Sequence, residues 1–304
     1  MHRLRRRLFS GMSDRDNSVI PVGGQAVIEG VMMRRENNFA IAVRKPNGEI
    51  AASRLNFISY FRKAPGLKVA ILRGSVALVE TMALGVKAIS LSAAQSTEGE
   101  VEITKRDMTF AMVFAAIFAV GLFFVLPTLL ARLVDAYIGS TILYNLTEGA
   151  IRILILIGYI CAISNLKDVR RLFQYHGAEH KVINSYEDGK VPTMENVKQN
   201  STLHLRCGTN FLLIVMVVSI FIFAFLGRPP LYLRIISRIL VIPIVAGISY
   251  EIIRFSGRHY KSKILRILMY PGLLLQKLTT REPSEDQIEV ALAAFNKVMT
   301  DETA

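Results

Sequence analysis

MTFAMVFAAIFAVGLFFVLPTLLA, residues 108–131, decides the class of this chain. The stretch holds no Asp, Glu, Lys or Arg. About 20 such residues, rising ~1.5 Å each as a helix, cross the ~30 Å hydrocarbon core of a bilayer. A helix on the surface of a soluble protein needs one polar face to meet water. This one has none, which predicts a transmembrane span.

Working outward, Ile153–Leu166 is also uncharged. It reaches span length when extended back over Glu148 and Arg152, an i, i+4 pair near its outer end. Gly208–Gly227 makes a third span, and Leu231–Ile253 a fourth. The fourth carries Arg234 and Arg238 near one end, and Pro243 predicts a kink that neighbouring helices accommodate. The span centres read as free of charge, which argues against a transporter.

The loops set the orientation. Asp135–Gly149 has no Lys or Arg, whereas the stretch from Lys167 to Arg206 holds seven. Arg254, Arg258, Lys261, Lys263 and Arg266 follow the fourth span. Basic loops stay in the cytoplasm, so four spans with both termini cytoplasmic satisfy the charges. A fifth span over Leu67–Gln95 would turn the basic 167–206 loop outward. That segment is therefore expected as a helix that does not cross, with Arg73, Glu80 and Lys87 on one stripe facing polar protein or headgroups.

The net charge of +13 over 304 residues fits the same reading: cytoplasmic loops against anionic lipid. No RNP, zinc-finger or helix-turn-helix signature accompanies it, so no nucleic-acid partner is expected. Membrane lipid and other membrane proteins are the expected partners. The four arginines of Met1–Arg7 are followed by Asp14 and Asp16 rather than by an apolar run, which predicts an uncleaved tail. Cys161 and Cys207 form no disulfide framework.

Residues 19–57 read as a small cytoplasmic sheet. Val- and Ile-rich alternations broken by Gly23-Gly24 and Gly30 suggest strands with bulges or close backbone approach. Asn47-Gly48 between Phe39–Val43 and Glu49–Ser53 signals a hairpin. Glu29 and Arg34 read as a salt-bridged strand edge. Ile267–Leu278, with Pro271-Gly272, reads as interfacial. Ser284-Glu285-Asp286-Gln287 is a capping box opening a helix with Ile288, Leu292, Phe295 and Met299 on the face that meets the sheet. The fold class is thus a polytopic α-helical membrane protein of about four spans. A small cytoplasmic β-containing N-terminal region and cytoplasmic loop helices complete it. The divisions are 1–18 basic tail, 19–107 sheet and amphipathic helix, 108–166 first helix pair, 167–207 loop, 208–253 second helix pair and 254–304 C-terminal region.

The chemistry concentrates in Tyr175-His176-Gly177-Ala178-Glu179-His180-Lys181. On a helix, His176 and His180 share a face with Glu179 beside them, the H-x-x-E-H pattern of inverted zincins. Two imidazoles make half a zinc site, and an adjacent carboxylate is placed to act as general base. His204, Cys207 and Glu251 come from other segments to the same membrane face and are candidates to complete the ligand set. Zn2+ is the expected ion, because imidazole and thiolate suit it.

GGQAVIEGVMMR at 23–34, YHGAEHK at 175–181, HLRCGT at 204–209, AGISYE at 246–251 and LTTREP at 278–283 stand in one order. Together they resemble the YqhQ family of bacterial membrane proteins, from about Val19 to Phe295. The resemblance implies a bacterial cytoplasmic membrane location and a predicted metal-dependent enzyme, without a substrate. Two functions are expected from these residues: a zinc-dependent hydrolase at the cytoplasmic membrane face, or a scaffold or biogenesis factor whose polar cluster is structural.

Overall fold

The computed structural model describes residues 20–36, 38–54, 69–97, 104–258 and 263–300. The arginine-rich tail and Lys261 lie outside the described residues.

Four strands form an antiparallel meander: β1 (Val22–Val27), β2 (Gly30–Arg35), β3 (Asn38–Arg44) and β4 (Ile50–Arg54). The Asn47-Gly48 hairpin forms as expected. Arg44 pairs with Ile50, the Asn47 side chain accepts from the Glu49 amide at 2.9 Å, and Gly48 takes the left-handed φ of +85° that glycine adopts without strain. Strand alternation divides the side chains between two faces. Val31, Met33, Ala40 and Ala42 point one way, and Met32, Phe39, Ile41 and Val43 the other. Both faces are covered, so β3 is buried throughout Phe39–Val43. Each large apolar side chain buried there contributes on the order of 1.5–3 kcal/mol.

The helices are α1 (Leu72–Ser96), α2 (Lys105–Val120), a π-helical turn (Gly121–Val125), α3 (Leu126–Leu133), α4 (Thr141–Ile163), α5 (Lys167–Glu187), α6 (Met194–Lys198), α7 (Gly208–Phe225), α8 (Leu231–Leu240), α9 (Ile242–Arg258), α10 (Lys263–Thr279) and α11 (Glu285–Met299). The Ser284 capping box opens α11, whose Ile288, Ala291 and Phe295 join α5 on the first face of the sheet. Leu84 and Ala88 of α1 cover the second face.

Among the described residues, four helical runs are long and apolar enough to cross a membrane: α1, residues 106–133, α4 and α7. The pair α8–α9, bent by 43°, gives a fifth. The bend falls at Val241, just before Pro243, where the sequence predicts a kink. The expected four spans count the bent pair and leave α1 out, although α1 passes the same test of length and composition.

The stripe expected on α1 does not hold together as one polar face. Arg73 makes a two-pronged ion pair with Glu251, Glu80 is 1% exposed, and Lys87 is exposed. Seven-residue spacing drifts around a 3.6-residue helix, and α1 changes partner along its length. Its start crosses α9 at Gly74 and Gly247; a Cβ on Gly74 would lie 2.8 Å from the Gly247 Cα. Its second half lies on the sheet.

A second correction concerns charge inside the bundle. α4 buries Tyr144, Asn145, Glu148, Gly149, Arg152, Leu156 and Ile160 on one face. Glu148 and Arg152 therefore point into the bundle, and Arg238 from α8 joins them. The sequence places Glu148 and Arg152 near the outer end of a span reaching Leu166, but α4 runs from Thr141 to Ile163, which sets Arg152 at its middle.

Candidate metal centre

α5 is the helix that the H-x-x-E-H spacing requires, and it is buried from Tyr175 to Ile183 except at His176, which is partly exposed. It settles against the backbone of the segment after α10 through Gly177. A Cβ there would lie 2.1 Å from the Arg281 carbonyl oxygen, while the Arg281 amide donates to Phe173 O at 2.9 Å. The loop before α7 is fixed from two sides. Gln276 exchanges two hydrogen bonds with the His204 backbone, at 2.9 and 2.8 Å, and Asn184 donates to the carbonyls of Ser201 and Leu203.

These joints bring His176, His180 and Cys207 together. One ligand atom from each lies within 4.8 Å of the others. His176 Nδ1 is 2.8 Å from the Thr279 carbonyl oxygen and His180 Nδ1 is 2.6 Å from that of Thr202. A carbonyl only accepts, so each Nδ1 carries a proton, and in the neutral ring that leaves Nε2 with a bare lone pair. His176 Nε2 is 3.2 Å from Cys207 Sγ. Imidazoles tied through the second nitrogen to a carbonyl are the usual outer shell of a metal site. Cys207 is the N-cap of α7, with the Thr209 amide 3.4 Å from its sulfur. Burial pushes its thiol up, but His180 and Thr209 outweigh that and hold it below the ordinary range. Burial lowers the His180 imidazole, with Cys207 pulling the other way.

Glu179 is 5% exposed and packs against β1, where a Cβ on Gly24 would lie 2.9 Å from its Cδ. Burial, with a smaller push from Cys207, raises its carboxyl to about 8, against a pull from His176. Gly24 in the Gly23-Gly24 pair is thus the close approach that the sequence suggested.

Two of the expected ligands are engaged elsewhere. His204 Nε2 is 3.2 Å from Glu187, which also pairs with Arg206, and burial holds the His204 imidazole down at about 4. Its ring lies 5.6 Å from that of His180, tilted by 45°, without joining the ligand group. Glu251 is held by Arg73 on α1. Glu29 and Arg34, expected as one edge pair, have separate partners. Glu29 binds Arg171 and lies 3.3 Å from the Tyr175 hydroxyl, whereas Arg34 caps the Glu36 carbonyl and covers the Phe39 ring. The contributions of Thr202, Thr279 and Gln276 have no sequence signal, because they act through backbone carbonyls or on a distant loop.

Residues 69–301 match the family model described as a protein of unknown function (DUF1385). The chain belongs to this family. It is also 35% identical over 296 residues to the uncharacterized protein YqhQ of Bacillus subtilis (strain 168), covering 91% of this chain and 92% of that one. The resemblance read from the motifs is therefore a true relationship along most of the chain. Neither description names a metal or a reaction, so the idea of metal dependence rests on the geometry above. No solved structure matches.

Proposed function

We propose that this family member is a multi-pass protein of the bacterial cytoplasmic membrane that binds zinc through His176, His180 and Cys207 and hydrolyses a membrane-borne substrate at the cytoplasmic face. The supporting observation is the convergence of two Nε2 atoms and one sulfur, with both Nδ1 atoms committed to carbonyls. Imidazole and thiolate suit zinc, and three protein ligands are the number that catalytic zinc sites use. Bound zinc would supply Lewis acidity and a more acidic water. Glu179, one residue from His180 and packed on β1, would take and return the proton as general base. His204 and Glu251 remain in their pairs with Glu187 and Arg73.

Membrane placement follows from the loop charges and from α1. From Leu84 onward α1 packs on the sheet, and a sheet with open edges is not tolerated in hydrocarbon. The preceding stretch, 72–83, makes roughly 18 Å of helix, short of the ~30 Å core. α1 then stays on the cytoplasmic side with the sheet and both termini, and membrane lipid and other membrane proteins are the partners.

A second reading draws support from burial. His180 is 1% and Cys207 6% exposed, and the cluster ties α5, the start of α7 and the end of α10 together. In that reading the centre is a structural joint of a scaffold or biogenesis factor. Glu179→Gln separates the two. In a hydrolase, cells carrying only Glu179→Gln accumulate the uncleaved membrane substrate, detected by comparing their membrane fractions with wild type, while the purified variant keeps its metal. In a joint, metal, stability and membrane composition all stay as in wild type.

A further inference from the structure

Away from the sheet, the bundle holds a group of charges that the metal centre does not use. Glu148 and Arg152 of α4 and Arg234 and Arg238 of α8 are all less than a tenth exposed, at 1, 3, 9 and 2%. Among the described residues this group sets three guanidiniums against one carboxylate, which pairs with Arg152 and Arg238, an excess of two positive charges. Arginine does not lose its proton in proteins, so burial cannot neutralise them. The nearest acid in the adjoining loop, Asp135, is taken by Arg228 at 3.0 Å.

The internal bonds are extensive but incomplete. Arg152 donates to Glu148 at 2.9 Å and to the Phe123 carbonyl at 2.9 Å, inside the π-helical turn. Arg238 donates to Glu148, to Thr128 at 2.8 Å and to Asn145 Oδ1 at 3.2 Å. Arg234 donates to the Tyr144 hydroxyl at 2.7 Å. Among the described residues, Asn145 Nδ2 and Glu148 Oε2 are buried with no hydrogen-bond partner. A buried polar atom left unpaired costs about 1–3 kcal/mol, and uncompensated buried charge costs several kcal/mol per ion. Exposure falls along Arg228, Arg234 and Arg238, with side-chain or residue values of 21, 9 and 2%, so the arginines step inward from the surface. Arg228 and Arg234 both lie over the Tyr144 ring, 4.3 and 5.0 Å from its centroid.

We infer that this cluster is a binding site for a phosphate-class anion, entered past Arg228 and held by Arg234, Arg238 and Asn145. An anion supplies the missing negative charge and an acceptor for Asn145 Nδ2. A hydroxyl on the same guest, as on hydrogen phosphate or a glycerol headgroup, satisfies Glu148 Oε2. Guanidinium pairs are the side chains best shaped for phosphate oxygens. Ionisable groups inside a membrane bundle mark ligand sites by default, and π-turns such as 121–125 are frequent beside them.

The test uses the full-length chain in nanodiscs of zwitterionic phosphatidylcholine. Thermal unfolding is followed with added inorganic phosphate, against sulfate and chloride at matched ionic strength. A second arm replaces a fraction of the lipid by phosphatidylglycerol without added phosphate. A saturable rise in Tm with phosphate assigns a free anion; a rise with phosphatidylglycerol alone assigns a lipid headgroup. In either case Arg234→Gln, which removes the guanidinium with the fewest internal bonds, weakens the apparent Kd about tenfold or more, and Arg234→Lys restores part of it. Equal, unsaturated rises with phosphate and sulfate in wild type and Arg234→Gln mean only general salting-out and overturn the proposal. So does no response in both arms. Should Arg234→Gln not fold, wild type alone decides: saturable stabilisation and competition among the anions support the site, and their absence refutes it.

Discussion

The metal centre and the arginine cluster are both buried and polar, but they are built on opposite principles. His176, His180 and Cys207 are small groups that carry no permanent charge, and each is aimed by a backbone group at one point. Their order comes from outside the cluster, from Thr202, Thr279 and Thr209. The arginine cluster holds permanent charges that order one another: Glu148 accepts from Arg152, Arg238 and Thr128. The first arrangement tolerates loss of a member without leaving an unpaired charge. The second does not.

That contrast sets the largest expected effect on stability. Glu148→Gln removes the one carboxylate among three guanidiniums and should cost roughly 3–5 kcal/mol, read by thermal or denaturant unfolding. Glu179→Gln, at the other site, should be within about 1 kcal/mol of wild type in the metal-free protein, since burial already holds that carboxyl protonated below about pH 8. Equal losses for the two would erase the distinction drawn between the regions.

Packing around the metal centre gives a smaller effect. Gly177→Ala places a Cβ on the Arg281 carbonyl and should destabilise by about 1–3 kcal/mol, with weaker metal retention because Thr279 shifts along with Arg281. Gly23→Ala, where a Cβ meets nothing within 4 Å, serves as its control.

The smallest effect is on pH dependence. Glu179 has a folded pKa raised from 4.5 to about 8, so its contribution favours the native state fully below about 4.5 and is lost as pH rises through 8. Metal-free protein should become less stable over that window, and Glu179→Gln should flatten the slope. An unchanged slope in the variant would show that Glu179 is not the titrating group.

These regions also differ in how far sequence reveals them. Four-residue spacing on one helix exposes His176 and His180, and the Ser284 box and the Asn47-Gly48 turn are equally local. The β1 glycines announce a close approach, though not that Glu179 is what approaches. The arginine cluster joins Glu148 to Arg238 across 90 positions, so no local pattern reports it. Glu251 and His204 stand outside the ligand group for a reason equally hidden from local pattern. Reading spans from the sequence groups whole segments, but Arg73 and Glu187, from other elements, decide where each side chain is held. On α1 the seven-residue stripe misleads because one helix serves two partners.

The central claim is that His176, His180 and Cys207 form one metal centre. Elemental analysis of the full-length protein, purified on a non-metal affinity resin, tests it directly. The account predicts about one zinc per chain in wild type and in Glu179→Gln. It predicts near-complete loss in His180→Ala and Cys207→Ser, and no loss in His204→Ala or Glu251→Gln. Metal-free wild type that takes up no zinc on titration, or zinc content unchanged in His180→Ala and Cys207→Ser, would contradict it.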